Sequence, residues 1–150
     1  MRQRILKIAI ELGKTRTCAC SKYFHICIAF RGKHVLASGQ NCVCRVYKKF
    51  GHVISTHAEH STLAQIKDDK PFDLLVVRVN ESGTKLLISK PCIKCSQYMN
   101  RGYYKIKRVY YSDGDGIVMT SVENLLHKDL KIRHKTPIQT PCNLKCCMAN

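Results

Sequence analysis

An ordered pair of motifs constrains this chain more than any other feature: His57-x-Glu59, followed further along by Pro91-Cys92-x-x-Cys95. One imidazole and two thiolates give zinc three protein ligands and leave its fourth position open, as in a catalytic zinc site. Cys92 and Cys95 are spaced so that a helix presents both sulfurs on one face, and Pro91 suits a first helical turn. The sequence therefore predicts one catalytic zinc held by His57, Cys92 and Cys95.

Glu59 follows the first predicted ligand closely, so its carboxylate would move protons beside the metal as a general acid and base. A simpler alternative is a capping box, in which Thr56 and Glu59 only satisfy backbone N–H groups at a helix start. Taken alone, Cys92 and Cys95 would equally fit a redox pair or half of a structural zinc site. The ordered combination of both motifs favours the catalytic interpretation.

The chain has 150 residues, and 45% of them are hydrophobic. This length suits one globular domain with a buried core and is too short for two. We expect the domain to span residues 1–133. Residues 134–150, which contain Pro137, Pro141 and several thiols, are expected to form an irregular tail.

No apolar run approaches the length of a membrane span, so we expect no membrane partner. The first residues carry charges within their apolar part, unlike a secretory signal peptide, and a mitochondrial presequence is the second choice. Ile5, Ile8, Ala9 and Leu12 recur at helical spacing and predict an amphipathic first helix. Ten cysteines in such a chain indicate a reducing intracellular compartment, cytoplasmic or nuclear.

Several further cysteines lie outside the main motif. Cys27 falls in an apolar strand and is expected to be core. Cys42 and Cys44, completed by His52, are candidates for a second, structural zinc, although unliganded surface thiols are the simpler interpretation. The same two interpretations apply to Cys18, Cys20, Cys142, Cys146 and Cys147.

The formal net charge is +16, and residues 12–58 contain no Asp or Glu. The positive electrostatic potential of such a surface attracts phosphates, whether on a free nucleotide or along a nucleic acid. A solvated basic surface without a dedicated ligand is the alternative. Lys22, or a residue of the Arg45–Lys49 segment, is the candidate for a phosphate contact because that segment precedes His57.

Apolar runs and turn residues predict the order of the elements. We expect strands at residues 23–30, 35–39 and 73–79, a basic loop at 42–54, and an extended segment at 85–89. Helices are predicted at about 56–66, from Cys92 to about Arg101–Gly102 with Gly102 as the C-cap, and from Val122 to Lys131. The Asp113-Gly-Asp-Gly116 sequence predicts an antiparallel hairpin between 107–112 and 117–121.

These features together resemble the cytidine and deoxycytidylate deaminase superfamily over about residues 23–121. Beyond the metal motif, the resemblance includes His25-Ile-Cys-Ile-Ala, Ala37-Ser-Gly39-Gln-Asn41, Ser89-Lys-Pro-Cys and Val109-Tyr-Tyr-Ser. It implies a three-layer α/β/α fold with a mixed five-stranded sheet and both zinc-bearing helices on one face.

The resemblance also implies roles for single residues. Asn41 would bind the sugar or base, the Ala58 backbone N–H would meet the pyrimidine carbonyl, and Ser89 would line the pocket. His60 is a departure, because the family usually has a small or aliphatic residue there. It is expected either to crowd the site or to point at solvent.

The function implied is zinc-dependent hydrolytic deamination of a cytosine nucleoside or nucleotide to the uracil form, by a chain that forms homo-oligomers. One alternative is a deaminase of cytosine or adenosine in RNA or single-stranded DNA, for which Tyr23, Tyr47 and Tyr98 are candidate stacking residues. Another is a catalytically silent nucleic-acid-binding relative. Families acting on tRNA or deoxycytidylate commonly run their final two strands parallel, and Leu130–Arg133 would be such a parallel partner.

Overall fold

The computed structural model describes residues 3–15, 24–49 and 52–128 of the chain. Its main sheet has the strand order β2-β1-β5-β7-β8, with the short β6 paired to β5. The strands of this sheet are β1 (Phe24–Arg31), β2 (His34–Gln40), β5 (Phe72–Val79), β6 (Leu86–Leu87), β7 (Ile106–Ser112) and β8 (Ile117–Thr120). A separate pair consists of β3 (Cys42–Lys49) and β4 (His52–Thr56). The helices are α1 (Gln3–Lys14), α2 (Ala58–Leu63), α3 (Ile93–Met99) and α4 (Val122–Lys128).

The central strands β1 and β5 are buried on both faces, which explains their near-continuous apolar sequences. Because side chains alternate along a strand, Ile26 and Val77 pack under α1, whereas Cys27 and Val76 face α2 and α3. Ile5 and Ala9 of α1 are fully buried, and this confirms the predicted amphipathic first helix. The predicted three-layer α/β/α arrangement is therefore confirmed. Among the described residues, no helix has the length and apolar character that a bilayer span requires.

The strand directions make the sheet mixed. β1 runs antiparallel to β2 and β5, whereas β5 and β7 are parallel. β7 and β8 form the predicted antiparallel hairpin, in which the Asp113 carboxylate accepts hydrogen bonds from the N–H groups of Asp115 and Gly116, at 3.1 and 2.8 Å. The alternative parallel partner at 130–133 lies outside the described residues, as do the tail and Lys22.

The prediction of a basic loop at residues 42–54 was wrong. These residues form β3 and β4, with Cys42 opposite Thr56 and Lys49 opposite His52. The cations suggested a loop, but the β-prone valine, tyrosine and isoleucine residues between them favour extended pairing. The side chains of Cys44 and His52 are not among those described, so the second, structural zinc stays a prediction.

Both site helices are shorter than predicted. α2 ends at Leu63 because the N–H groups of Gln65 and Ile66 bond the carbonyls only three residues back, which tightens and closes the last turn. α3 begins at Ile93, with Cys92 as its N-cap and Asn100 as its C-cap. The expected Gly102 cap follows two residues later, in a turn that requires its φ of 79°.

Candidate active site

His57 lies between β4 and α2, where it is the N-cap of the helix with extended backbone angles. Its side chain makes no capping hydrogen bond, so the ring faces the start of α3 instead. The His57 Nδ1 atom is 3.6 Å from the Cys92 Sγ atom and 3.3 Å from the Cys95 Sγ atom. Cys92 and Cys95 hold their positions because α3 starts between them, with the Ser96 N–H donating to the Cys92 carbonyl at 2.9 Å.

These three donor atoms lie within 4.8 Å of one another and form the only such group of possible metal ligands among the described residues. Ideal tetrahedral zinc separates a nitrogen and a sulfur ligand by about 3.5 Å and two sulfurs by about 3.8 Å. The observed nitrogen–sulfur distances match that geometry. The residues present therefore fit zinc in both chemical type and spacing.

A shared proton explains the electrostatics of the two thiols. The hydrogen bond from Cys95, helped by one from His57, lowers the pKa of Cys92 to about 3. The same hydrogen bond, together with burial, raises the pKa of Cys95. The hydrogen bond with Cys92 also raises the pKa of His57. Such a pair gives up its remaining proton when a metal binds, which makes metal affinity pH-dependent.

Glu59 lies in the first turn of α2 with only 4% of its surface exposed. Burial raises the pKa of its carboxyl above the ordinary value, and it shares a hydrogen bond with Cys95. The capping-box alternative places Glu59 at the third helical position after a Thr56 cap. Because the cap is His57, Glu59 falls one position too early for that role. The carboxyl group thus lies against the candidate metal ligands.

Gly39 lets α2 lie close against the sheet. A Cβ atom there would lie 2.8 Å from the Thr62 backbone nitrogen. Thr62 itself fixes the helix on β1, because its hydroxyl is 2.9 Å from the carbonyls of both Cys27 and Ala58. This contact holds the start of α2, and with it His57 and Glu59, at one end of the sheet.

Asn41 follows β2 at that same end. Its side-chain oxygen accepts a hydrogen bond from the His25 N–H at 2.9 Å, and its own N–H donates to the His25 carbonyl at 3.1 Å. Burial, followed by the charges of Arg78 and His57, lowers the pKa of His25 to about 4. His25 was not predicted as a site residue, although it shares the strand face of Cys27, which packs against the site helices.

The remaining two predicted substrate residues, Ala58 and Ser89, are both buried. Ala58 is the first residue of α2, so its N–H is among those without a partner within the helix. The Ser89 hydroxyl donates to the Val76 carbonyl at 2.8 Å and accepts from the Ser112 N–H at 2.9 Å. Ser89 therefore ties the segment before Cys92 to β5 and β7, and its role toward a substrate stays a prediction.

His60 is half-buried, and its ring lies edge-on to the His57 ring with centroids 6.5 Å apart. Its ring stacks on Tyr98 of α3, with centroids 4.1 Å apart and planes inclined by 17°. The Tyr98 hydroxyl is 3.1 Å from that of Tyr104, and the Arg101 guanidinium lies 5.7 Å from the Tyr98 ring. The packing of His60 on an aromatic side chain of the other helix was not predicted from the sequence. The crowding of the site by His60 stays a prediction.

No protein-family model matches the chain, and no curated protein matches it significantly. Several solved structures do match the chain. The dCMP deaminase of cyanophage S-TIM5 in apo form is 18% identical, with 85% of this chain and 94% of that chain covered and a TM-score of 0.50. The same enzyme in complex with dCMP and dUMP is 16% identical, with 85% and 93% covered and a TM-score of 0.53.

A cytidine deaminase from Mycobacterium leprae is 19% identical, with 80% of this chain and 92% of that chain covered and a TM-score of 0.50. These likenesses concern the fold, which this chain shares with the solved dCMP deaminase and cytidine deaminase structures, as the motifs predicted. The same fold brings together the candidate ligand group of His57, Cys92 and Cys95.

Proposed function

We propose that this chain is a zinc-dependent hydrolase that converts the cytosine of a nucleoside or nucleotide to uracil. One observation carries the proposal: His57, Cys92 and Cys95 present zinc-type donor atoms within 4.8 Å of one another, beside the buried Glu59. This donor set leaves a fourth position for water and substrate. The solved structures with this fold are a dCMP deaminase and a cytidine deaminase, so the fold is compatible with either substrate.

In this proposal three residues hold the zinc ion and a fourth, Glu59, moves protons. Zinc bound by the three ligands would supply Lewis acidity and lower the pKa of a water molecule toward neutrality. Water adds to C4 of the ring and ammonia leaves. Glu59, buried against the ligands, accepts one proton from the attacking water and passes it to N3 of the ring. It then takes the second proton, from the new C4 hydroxyl, and passes it to the amino group, which leaves as ammonia while C4 becomes a carbonyl. Its burial excludes bulk water from that exchange.

Three residues position the pyrimidine in this proposal. The Ala58 N–H, which has no partner within its helix because it lies in the first turn, donates to the pyrimidine carbonyl. Asn41, fixed by its two hydrogen bonds with His25, contacts the sugar or base. Ser89 forms part of the pocket wall rather than bonding the substrate, because its hydroxyl is already hydrogen-bonded to β5 and β7.

The test is an assay of uracil formation and ammonia release by zinc-loaded protein, with cytidine, deoxycytidine, CMP, dCMP and single-stranded oligonucleotides as substrates. We expect turnover of at least one free nucleoside or nucleotide. Activity on the oligonucleotides alone would replace this proposal with a nucleic-acid deaminase. A fully zinc-loaded protein without activity on any cytosine substrate would reject it.

A further inference from the structure

An arginine lies at the end of the sheet where the two site helices begin. Arg78 is the penultimate residue of β5, and it pairs directly with His25 of β1. Cross-strand partners in an antiparallel pair point to the same face. That face is the one on which Cys27 and Val76 pack against α2 and α3. Arg78 and His25 therefore lie side by side beneath the start of these helices.

The electrostatics of His25 show how near this arginine is to the candidate ligands. The charge of Arg78 and that of His57 both lower the pKa of His25, after burial. Arg78 and the candidate ligands His57 and Cys92 are therefore all close enough for their charges to act on His25. Its imidazole is neutral at neutral pH, so Arg78 is the charged member of this cross-strand pair.

The backbone around Arg78 connects directly to the segment that carries the first cysteine ligand. The Arg78 N–H donates to the Ser112 hydroxyl at 3.4 Å, and this hydroxyl is 2.8 Å from that of Ser89. Ser89 is buried and precedes Cys92 by only three positions. The Arg78 backbone therefore belongs to the same hydrogen-bonded frame as the site.

We propose that Arg78 binds the 5′-phosphate of the substrate, with His25 between it and the zinc-binding residues, so that the substrate class is a cytosine nucleoside 5′-monophosphate. The inference rests on the proposed function. A guanidinium stays charged at every relevant pH and bonds two phosphate oxygens at once. A nucleoside offers the same group only neutral hydroxyls. The sequence-predicted phosphate contacts, Lys22 and the side chains of Arg45–Lys49, lie outside what the structure describes.

The experiment compares binding of the products UMP and dUMP with binding of uridine and deoxyuridine, by calorimetry on zinc-loaded protein. The variants are Arg78→Gln, which removes the charge, and Arg78→Lys, which keeps it. Arg4→Gln is the matched control, because it removes the same charge from an exposed position on α1, across the sheet. Thermal unfolding of each variant accompanies the titrations.

We expect the wild-type protein and Arg4→Gln to bind the monophosphates more tightly than the nucleosides, by about 10- to 100-fold, the range of a charged hydrogen bond. Arg78→Gln should lose this preference and leave nucleoside affinity unchanged, while Arg78→Lys keeps part of it. An unchanged preference in Arg78→Gln would overturn the proposal. Equal affinity of the wild-type protein for monophosphate and nucleoside would do the same, even if Arg78→Gln failed to fold.

The outcome is separable from that of the proposed function. Preference for monophosphate that depends on Arg78, in a protein that deaminates no cytosine compound, would sustain the phosphate site and reject the deaminase. Turnover of cytidine and CMP with equal kcat/KM in wild type and Arg78→Gln would sustain the deaminase and reject the phosphate site.

Discussion

The His60 ring stacks on the Tyr98 ring at a centroid distance of 4.1 Å, and this contact joins the two helices that carry the candidate zinc ligands. His60 lies in α2, shortly after His57, and Tyr98 lies in α3, one turn after Cys95. Because ligand spacing depends on how these two helices are held together, the stack is a positioning contact for the site.

Removing the ring of His60 should therefore loosen the metal centre. We expect His60→Ala to lower the free energy of unfolding by about 1 kcal/mol, the usual worth of an aromatic pair, and to weaken zinc binding. His60→Phe keeps a ring and should retain both. The measurements are denaturant unfolding and zinc competition with a chelator. Tyr98→Phe, which removes only the hydroxyl, is the control, and unaltered zinc affinity in His60→Ala would argue against a positioning role.

The three candidate ligands should be individually necessary for zinc. Purified protein is expected to carry one zinc, and single Ala variants of His57, Cys92 and Cys95 should each lose most of it, because a catalytic zinc has only three protein ligands. Cys42→Ala is the matched control, since Cys42 is a described free thiol outside the group. Metal analysis of the purified wild-type protein and of each variant measures the zinc content. Full zinc content in all three ligand variants would show that the metal site is elsewhere.

An ion pair at the opposite end of the sheet offers a test of the fold itself. Asp73 is only 7% exposed and accepts two hydrogen bonds from Arg108, at 2.9 and 2.6 Å. Asp73→Ala should lower the free energy of unfolding by about 2 kcal/mol, because it removes charged hydrogen bonds to a buried carboxylate. Asp69→Ala, which removes the exposed pair with Lys105, should cost far less. Equal losses in denaturant unfolding would contradict this comparison.

The sequence predicted the parts of this molecule that depend on local pattern. The apolar runs of β1 and β5 predicted buried strands, and the Asp113–Gly116 turn predicted the last hairpin. The spacing of His57, Cys92 and Cys95 predicted the candidate ligand group, because the chemistry of zinc restricts both ligand type and separation.

Other features depend on contacts that no local pattern encodes. His60 and Tyr98 are far apart in sequence, and only the packing of α2 against α3 brings their rings together. The position of Arg78 beside His25 follows from the register of β1 on β5. The β3–β4 hairpin was missed because its cations resemble those of a solvated loop, whereas cross-strand pairing accommodates them at an edge.

Salt dependence distinguishes a free nucleotide from a polynucleotide as substrate. If one cation contacts one phosphate, raising the salt concentration should lower kcat/KM for the monophosphate only mildly. A bound single strand engages many phosphates, and its log affinity should fall with log salt by about 0.7 for each contact. We expect the mild dependence, together with little turnover of single strands. Activity confined to single strands and lost steeply with salt would favour a nucleic-acid deaminase.

The proposed role of Glu59 as the proton carrier in deamination is tested by the deamination rate of Glu59→Gln, compared with wild type at equal zinc content and equal thermal stability. The substitution keeps the size of the buried side chain and removes its ability to carry protons between water and the ring. We predict that zinc and fold are retained and that turnover of the cytosine substrate falls by about two to four orders of magnitude. A folded, zinc-loaded Glu59→Gln variant with wild-type turnover would contradict the account.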